Sequence, residues 1–338
     1  MMEANLHFHS SLAEYFVLHL IERKESLSES SYHRDVSHLH DFDDYLHAAS
    51  FQCDDRIDEG LITKWTHLHD NMAAKTIMTY VNNVRMFLRF YSKITGTMVY
   101  MPPTYPAKDT YVPYLFTDEE MAVIYNQVDN YENGITNALP YILLEFPTII
   151  RLLDSSGFRI AEVCAIQMKD VDLKYGILKL LNTKSDKQRL VPLSDNMAEL
   201  LCQYCNAMKL VEGTSAYLFP RHDYFEPLKT SDIRNRFRNV LIKAGIREER
   251  LYNNERGPCL HCLRHRFVLK AIRLLLSVGI TIEDAIPYLS IYLGHKSIRE
   301  TEKYIKFAAD LFPEEMNKFF KASEELYPDE RIWDNCMF

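Results

Sequence analysis

The amino-acid sequence predicts a mainly α-helical protein of the α+β class, with a helical N-terminal domain and a mixed C-terminal domain that holds a small antiparallel sheet. Three observations support this prediction. Apolar residues recur at helical spacing through the first hundred residues, three prolines follow within residues 102–106, and two short apolar runs flank a polar turn near residue 185. At 338 residues the chain is long enough for two domains of ordinary size.

The N-terminal region contains four or five predicted helices joined by short connections. Apolar positions recur at helical spacing over residues 12–24, 32–46, 60–69 and 75–92, and residues 28–31 offer an N-cap before the second helix. No stretch of this region alternates apolar and polar residues in the manner of a strand. We therefore predict a small all-α bundle over residues 1–100.

A proline-rich segment marks the boundary between the two predicted domains. Pro102, Pro103 and Pro106 each fix the backbone φ angle, and each disfavours helix at the residue before it. Residues 101–112 are therefore predicted to form an extended linker, followed by the second domain over residues 113–338.

The second domain is predicted to begin with a capped helix and to contain one hairpin. Thr117 followed three residues later by Glu120 is typical of a capping box, and a helix over residues 139–155 would end at Gly157. Further on, residues 177–182 and 189–193 are apolar runs around the polar turn 183–187, which predicts a β-hairpin.

A cluster of chemically active residues lies near the C-terminus. His261 and Arg264 are three residues apart, a spacing that places both on one face of a helix. An arginine beside an imidazole suits an anion with several oxygens, because the guanidinium offers a fixed fork of donors and keeps its charge. His295 and Tyr304 follow, and the tyrosine hydroxyl is a candidate nucleophile. These four residues favour phosphoryl transfer.

The order of these residues resembles the C-terminal signature of the tyrosine recombinase (phage integrase) family. HCLRH, then LGHKSI, then a tyrosine nine residues after the second histidine match that signature. The resemblance implies two further catalytic residues upstream: Arg159 in the segment GFRIAE, and Lys184 in the predicted hairpin turn. It also implies that residues 1–100 are a core-binding domain that clamps DNA, and that residues 113–338 are the catalytic domain.

The activity implied by the resemblance is site-specific cutting and rejoining of DNA through a 3′-phosphotyrosyl intermediate, for a phage or another mobile element. Arg159 and Arg264 would hold the scissile phosphate, with His261 and His295 adding hydrogen bonds. Tyr304 would attack phosphorus, and Lys184 would protonate the leaving oxygen. No metal or nucleotide cofactor is expected, and the sequence has no P-loop motif.

The partners implied are double-stranded DNA and three further copies of the chain, in a homotetramer on DNA. A predicted amphipathic helix over residues 314–327, with Met316, Phe319 and Phe320, is the expected oligomerisation element. Two alternatives stay open: a DNA-binding relative without efficient cleavage, and an enzyme like type IB topoisomerases that relaxes DNA as a monomer.

Contacts with DNA would have to come from local basic patches, since the net charge of the whole chain is −8. Two such patches occur, one on the fourth predicted helix and one on a helix near residue 235. A solvated polar surface is the alternative explanation for each patch. The candidate phosphate-binding residues are Lys75, Arg85, Arg89, Lys229, Arg234, Arg236 and Arg238.

Neither a membrane span nor a secretory signal is visible in the sequence, which predicts a cytoplasmic location. Two C-x-x-C pairs, Cys202/Cys205 and Cys259/Cys262, could together form a tetrahedral zinc site. Free thiols packed in the core are the default for a cytoplasmic chain. We therefore predict no metal site and keep zinc as the alternative.

Overall fold

The computed structural model describes residues 6–104, 113–132, 138–181, 188–248 and 257–295, together with positions 297, 300, 301 and 304. It divides into two compact units, residues 1–111 and 112–338. The fold class predicted from the sequence, mainly helical with a small antiparallel sheet, is confirmed. Of the predicted linker, residues 101–104 have no regular secondary structure, and the rest lies outside the described residues.

The described part of the first unit contains four helices, where the periodicity predicts four or five. They are α1 (Ala13–Lys24), α2 (Glu29–Ala48), α3 (Glu59–His67) and α4 (Ala74–Thr95). Aromatic side chains fill its core: Phe16 stacks on Phe87, and Trp65 meets Phe42 edge to face. Burial of these rings supplies much of the hydrophobic stabilisation of so small a unit. Helix α2 begins before the predicted residue 32, because Ser28 has an extended backbone and occupies the N-cap position.

The second unit contains seven described helices and a three-stranded sheet. Residues 118–164 form three of the helices, α5 (Asp118–Asp129), α6 (Ile142–Ser156) and α7 (Ile160–Cys164). The strands are β1 (Val171–Asp172), β2 (Ile177–Leu181) and β3 (Gln188–Pro192). Four helices follow, α8 (Asp195–Ala207), α9 (Thr230–Lys243), α10 (Leu260–Ser277) and α11 (Ile282–Leu293). None of the described helices has the length and apolar character of a membrane span.

Helix α6 is the centre of this unit. It packs against α5, α8 and α10, and most of its residues are buried. It ends at Gly157, whose φ of 61° lies in the left-handed region that glycine tolerates. A side chain there would also collide with Phe267 of α10. The close approach of α6 and α10 therefore depends on Gly157.

The predicted hairpin is present in the antiparallel sheet, whose strand order is β1-β2-β3. Ile177 pairs with Pro192 and Leu181 with Gln188, so β2 and β3 are in register along their whole length. Residues 182–187, which join them and include the predicted catalytic Lys184, lie outside the described residues. The predicted helix over residues 314–327 also lies outside them.

The capping box predicted at Thr117 is confirmed. The Thr117 hydroxyl accepts a hydrogen bond from the backbone N–H of Glu120 at 3.1 Å, and the Glu120 carboxylate accepts one from the N–H of Thr117 at 2.9 Å. The long stretch between Arg264 and His295 is also helical. It consists of the rest of α10 and of α11, which contains Pro287 and ends at Gly294.

One buried carboxyl group should make the free energy of unfolding depend on pH in an unusual way. Glu145 of α6 is wholly buried, and neither of its carboxyl oxygens has a hydrogen-bond partner in the described part of the chain. Burial raises its pKa to about 8, against a smaller opposing effect of the Arg236 charge. The native state therefore holds this proton more tightly than the unfolded state does. Stability from this group is complete below about pH 4.5 and is lost as pH rises through about 8.

We expect Glu145→Gln to remove this pH dependence, since the amide keeps the shape of the neutral acid and cannot ionise. In urea unfolding, the variant should match the wild type near pH 4 and exceed it by about 3 to 5 kcal/mol near pH 9. Glu199→Gln, a change at an exposed position on α8, is the matched control and should alter stability by less than about 0.5 kcal/mol at either pH. Parallel stability curves for wild type and Glu145→Gln would contradict the assignment.

Candidate active site

Arg264 of α10 is the buried centre of the candidate site, with 2% of its surface exposed. Its Nη1 donates to the carbonyl oxygen of Gly157 at 2.7 Å. Its Nη2 donates to the carbonyl oxygen of Leu293 at 2.9 Å and lies 2.9 Å from Nε2 of His295. One guanidinium group thus connects the C-terminal ends of α6 and α11 to the first turns of α10.

The positive charge of Arg264 has no carboxylate ion-pair partner among the described residues; its partners are carbonyl oxygens, a ring nitrogen and the hydroxyl of Tyr304. Burial, followed by the nearby charge of Arg159, lowers its pKa to about 10. A buried charge without a counter-ion is costly. The site is therefore electrostatically suited to an anion supplied from outside the protein.

His295 is held between Arg264 and Thr301 in one tautomer. A guanidinium group only donates, so Nε2 of His295 must accept from Arg264, and the ring proton must lie on Nδ1. Nδ1 then donates to the Thr301 hydroxyl, 2.7 Å away. Burial, followed by the charges of Arg264 and Arg159, lowers the pKa of His295 to about 3. The ring is neutral at neutral pH.

Two further imidazoles lie on the first turns of α10. The rings of His261 and His265 meet edge to face, with centroids 4.6 Å apart. His261 is at the exposed rim, but displacement of water by the surrounding protein, followed by the charges of Arg264 and Arg159, lowers its pKa to about 4. Burial and the neighbouring His261 lower the pKa of His265 to about 3. Both rings are neutral at neutral pH.

Arg159, at the N-cap of α7, is fixed by Glu162. One carboxylate oxygen accepts from the Arg159 backbone N–H at 2.9 Å, and the other from its guanidinium group at 3.1 Å. Arg189 of β3 donates to both oxygens of the same carboxylate, at 3.1 and 3.0 Å. About a third of the Arg159 side chain stays exposed, so it can meet an incoming anion while Glu162 orients it.

The Glu162 carboxylate stays ionised despite its burial. Burial alone would raise its pKa, but the hydrogen bonds from Arg189 and from the Arg159 backbone outweigh that effect, and the pKa is lowered. Glu162 therefore neutralises Arg159 and Arg189 in part, and it does not form an ion pair with Arg264.

Tyr304 lies inside the site of its own chain, with 5% of its surface exposed. It packs in a small apolar cluster with Val268 and Leu293. Its ring is parallel to that of His295, with centroids 6.3 Å apart, and 5.3 Å from that of His265. Burial raises the pKa of Tyr304, whereas the charge of Arg264 and a hydrogen bond with it act in the opposite direction. The hydroxyl is therefore protonated at neutral pH.

The structure brings five of the six predicted catalytic residues together around one guanidinium group: Arg159, His261, Arg264, His295 and Tyr304. The sixth, Lys184, lies outside the described residues. Sequence reasoning did not single out His265, Glu162, Arg189 and Thr301 as site residues. His265 is the last residue of HCLRH and Glu162 the last of GFRIAE, so both motifs contained a signal.

The predicted DNA-binding residues occupy two helices. Lys75, Arg85 and Arg89 lie on α4; Lys75 and Arg89 are exposed, and Arg85 is half-buried. Lys229 caps α9, and Arg234, Arg236 and Arg238 lie along it. Arg234 is exposed, whereas Arg236 donates a hydrogen bond to the carbonyl oxygen of Asp232 at 3.1 Å. Exposure is compatible with phosphate contact and with a solvated surface, so their role stays a prediction.

The cysteine pairs lie on α8 and at the start of α10. In the described part of the chain, no three or more His, Cys, Asp or Glu side chains are grouped so that they could hold a metal ion. The alternative of a zinc site built from both pairs therefore has no support there.

Comparisons with known proteins agree with this geometry. The model of the phage integrase family matches residues 116–310. A putative integrase/recombinase, y4rE, of Sinorhizobium fredii (strain NBRC 101917 / NGR234) is 30% identical over 202 residues, which are 59% of this chain and 61% of that protein. The chain thus spans less than two thirds of that relative. Tyrosine recombinase XerD of Staphylococcus aureus is 26% identical over 314 residues, which are 89% of this chain and 96% of XerD.

Among solved structures, the site-specific recombinase XerH bound to its difH substrate is similar in fold. The TM-score is 0.65 at 17% sequence identity, over 92% of this chain and 99% of that one. At this identity the comparison shows a shared fold.

The hydrogen bonds of His295 lead to a prediction about its protonation. We expect its ring to carry the proton on Nδ1 and to stay neutral from about pH 8 down to about pH 5, because Arg264 occupies Nε2. The measurement is a series of ¹⁵N NMR spectra of histidine-labelled protein, with His295→Asn to assign the signals. Thr301→Val, which removes the acceptor of the Nδ1 proton, should shift the Nδ1 signal. A His295 ring that becomes protonated above pH 6 would disprove the arrangement.

Proposed function

Because the chain belongs to the phage integrase family, whose model matches more than half of its length, we propose that it is a site-specific DNA recombinase. It cuts and rejoins DNA strands through a 3′-phosphotyrosyl intermediate, in the service of a phage or another mobile element. One observation carries the proposal. The Tyr304 hydroxyl and the buried, carboxylate-free Arg264 meet at a site that suits a phosphate.

The scissile phosphate binds between the two arginines. Arg159 is partly exposed and oriented by Glu162, with the Glu300 carboxylate 4.0 Å from its Nη2, so its guanidinium group can contact one non-bridging oxygen. Arg264 supplies the second contact from the floor of the site, where low solvent exposure strengthens the attraction. Neither contact requires a metal ion or a nucleotide.

Tyr304 is the nucleophile, and it needs help because its pKa is raised by burial. The bond from its oxygen to phosphorus forms as the bond from phosphorus to the 5′-oxygen breaks. The tyrosine proton passes to a neutral imidazole, and Lys184 donates a proton to the leaving 5′-oxygen. The bound phosphate opposes the arginine charges that lower the histidine pKa values, so the imidazoles become better bases once DNA is present.

The reverse reaction uses the same groups. The free 5′-hydroxyl of a second strand attacks the phosphotyrosine, and the tyrosine oxygen leaves. The energy of the phosphodiester bond is kept in the covalent intermediate, so no high-energy cofactor is consumed.

Double-stranded DNA is the proposed partner, and a homotetramer on DNA is the proposed assembly, because exchange between two duplexes requires cleavage of four strands. In this proposal, residues 1–100 clamp the duplex with Lys75, Arg85 and Arg89, and α9 contacts its backbone with Lys229, Arg234, Arg236 and Arg238. The cytoplasmic location stays a prediction.

Tyr304→Phe separates chemistry from binding. The change removes one hydroxyl and leaves the packing of the ring against Val268 and Leu293 in place. On a nicked suicide substrate, we expect the covalent protein–DNA complex to disappear, while DNA affinity changes by less than about twofold. Denaturing gels measure the first quantity and gel shifts the second.

The matched control is Tyr292→Phe, since Tyr292 packs on Phe267 near the same cluster and has no proposed chemical role. It should keep the covalent complex. A covalent complex with Tyr304→Phe would assign the nucleophile to another residue. Persistent DNA binding by a wild-type protein that never forms the complex would favour the non-cleaving alternative. Relaxation of supercoils by a strict monomer would favour the topoisomerase-like one.

The proposed role of Lys184 as general acid can be tested with a substrate whose leaving group needs no proton. Lys184→Ala should slow cleavage of ordinary DNA by about 10²-fold or more, because the 5′-oxygen leaves poorly without a proton. A substrate with sulfur in place of the bridging oxygen needs no such proton, so the variant should cleave it at close to the wild-type rate. Lys187→Ala, in the same hairpin turn, is the matched control. If only Lys187→Ala shows the sulfur rescue, then Lys187 is the general acid.

A further inference from the structure

Two cysteines enclose the candidate catalytic His261 at the start of α10. Cys259 is the N-cap residue of the helix, and Cys262 lies in its first turn, where its backbone N–H donates to the Cys259 carbonyl at 2.9 Å. Their sulfur atoms are 3.8 Å apart. Cys259 is half-buried and reachable from solvent, whereas Cys262 is wholly buried in the core.

The surroundings make the two thiols unequal. The pKa of Cys259 is lowered, first by a hydrogen bond from the Cys262 thiol, and also by the backbone N–H groups of His261 and Cys262 and the charge of Arg247. Burial opposes this effect but does not cancel it. The Cys262 pKa is raised, first by the same hydrogen bond and then by burial. Cys259 is thus the nucleophile of the pair at neutral pH.

Two other described thiols, those of Cys164 and Cys205, are shifted in the opposite direction. Burial raises the pKa of Cys164 and of Cys205 to about 12. Cys202 is only partly buried, but among the described residues no contact joins its sulfur to a second one. The short sulfur–sulfur distance at the start of α10 therefore marks one specific dithiol.

We propose that Cys259 and Cys262 form a reactive dithiol site that low-molecular-weight disulfides oxidise to an intramolecular disulfide, and that oxidation displaces His261. Displacement of His261 would reduce DNA cleavage, and this part of the proposal rests on the proposed recombinase function. The formation of the disulfide does not rest on that function.

The chemistry balances with a small disulfide RSSR as the oxidant. The Cys259 thiolate attacks one of its sulfurs, which forms a mixed disulfide and releases RS⁻. Cys262 loses its proton to solvent and attacks the Cys259 sulfur, which forms the protein disulfide and releases a second RS⁻. Two protein thiols are oxidised, and one RSSR is reduced to two RSH. Small thiols reverse the reaction.

The geometry explains why oxidation reaches His261. A disulfide bond is about 2.05 Å long, so the sulfur atoms must approach each other by almost 2 Å. Cys262 is fixed by the core around it, so most of the movement falls on Cys259 and the first turn of α10. His261 lies in that turn. A catalytic group displaced by about 1 Å loses on the order of 10²-fold in rate.

The first test counts thiols in full-length protein that carries Cys53→Ser and Cys336→Ser, which remove an exposed thiol and a C-terminal one. After treatment with glutathione disulfide, we expect loss of two thiols, with no added mass of glutathione and with Cys259 and Cys262 joined in one peptide. Cys262→Ser should instead stop at one glutathione adduct on Cys259, and Cys259→Ser should form neither product. A disulfide elsewhere, or unreacted Cys259, would overturn the proposal.

The second test follows His261 without DNA. Its NMR signal should shift on oxidation and return with a small thiol, and it should not shift in Cys259→Ser, which forms neither product. An unchanged signal in fully oxidised protein would overturn the displacement of His261.

Cleavage is measured last. Formation of the covalent complex should fall at least tenfold in oxidised protein and recover on reduction, with Cys259→Ser insensitive to the oxidant. Equal cleavage in both states would overturn the control over activity. Absence of cleavage in reduced protein would instead be a failure of the proposed recombinase function, and the thiol count and the His261 signal would still decide the dithiol site.

Discussion

The candidate site depends on one buried guanidinium group. Arg264 satisfies its donors with the carbonyl oxygens that end α6 and α11 and with His295, and it has no carboxylate ion-pair partner in the described part of the chain. The three helices are thus positioned around a cation that forms no ion pair with a described carboxylate. Hydrogen bonds from carbonyl oxygens offset part of the desolvation cost. An incoming phosphate offsets the rest, so the constraint that shapes the site also favours the anion.

The remaining charges are arranged around that cation. The carboxylate of Glu162 lies with Arg159 and Arg189, so it orients one arginine and connects the hairpin strand β3 to α7. Gly294 allows this arrangement, because a side chain at that position would collide with the Arg189 guanidinium. The acid thus supports the site while leaving Arg264 available for a phosphate.

The arginine charges also act on the three imidazoles of the site. Burial and the arginine charges lower the pKa values of His261, His265 and His295 to about 3 or 4, so these rings are neutral before an anion binds. A neutral ring can accept a proton from Tyr304, which a protonated one cannot. The thiol pair lies at the start of α10, beside the charge of Arg247, and the same turn of helix holds His261. The proposed oxidation of this pair would therefore act on one of these imidazoles.

The sequence by itself determined the helical class and the hairpin, because periodicity is a local property of the chain. Its resemblance to the tyrosine recombinase signature also led to the prediction of Arg159, His261, Arg264, His295 and Tyr304 as site residues. It did not reveal that Arg189 supports Arg159 through Glu162, or that Thr301 fixes the tautomer of His295. Those contacts join residues from separate elements, which only the tertiary packing brings together. Tertiary packing also decided how deeply the histidines are buried, and this burial keeps their rings neutral. The same packing holds the two sulfur atoms 3.8 Å apart. No local sequence pattern specifies how much water remains around a side chain.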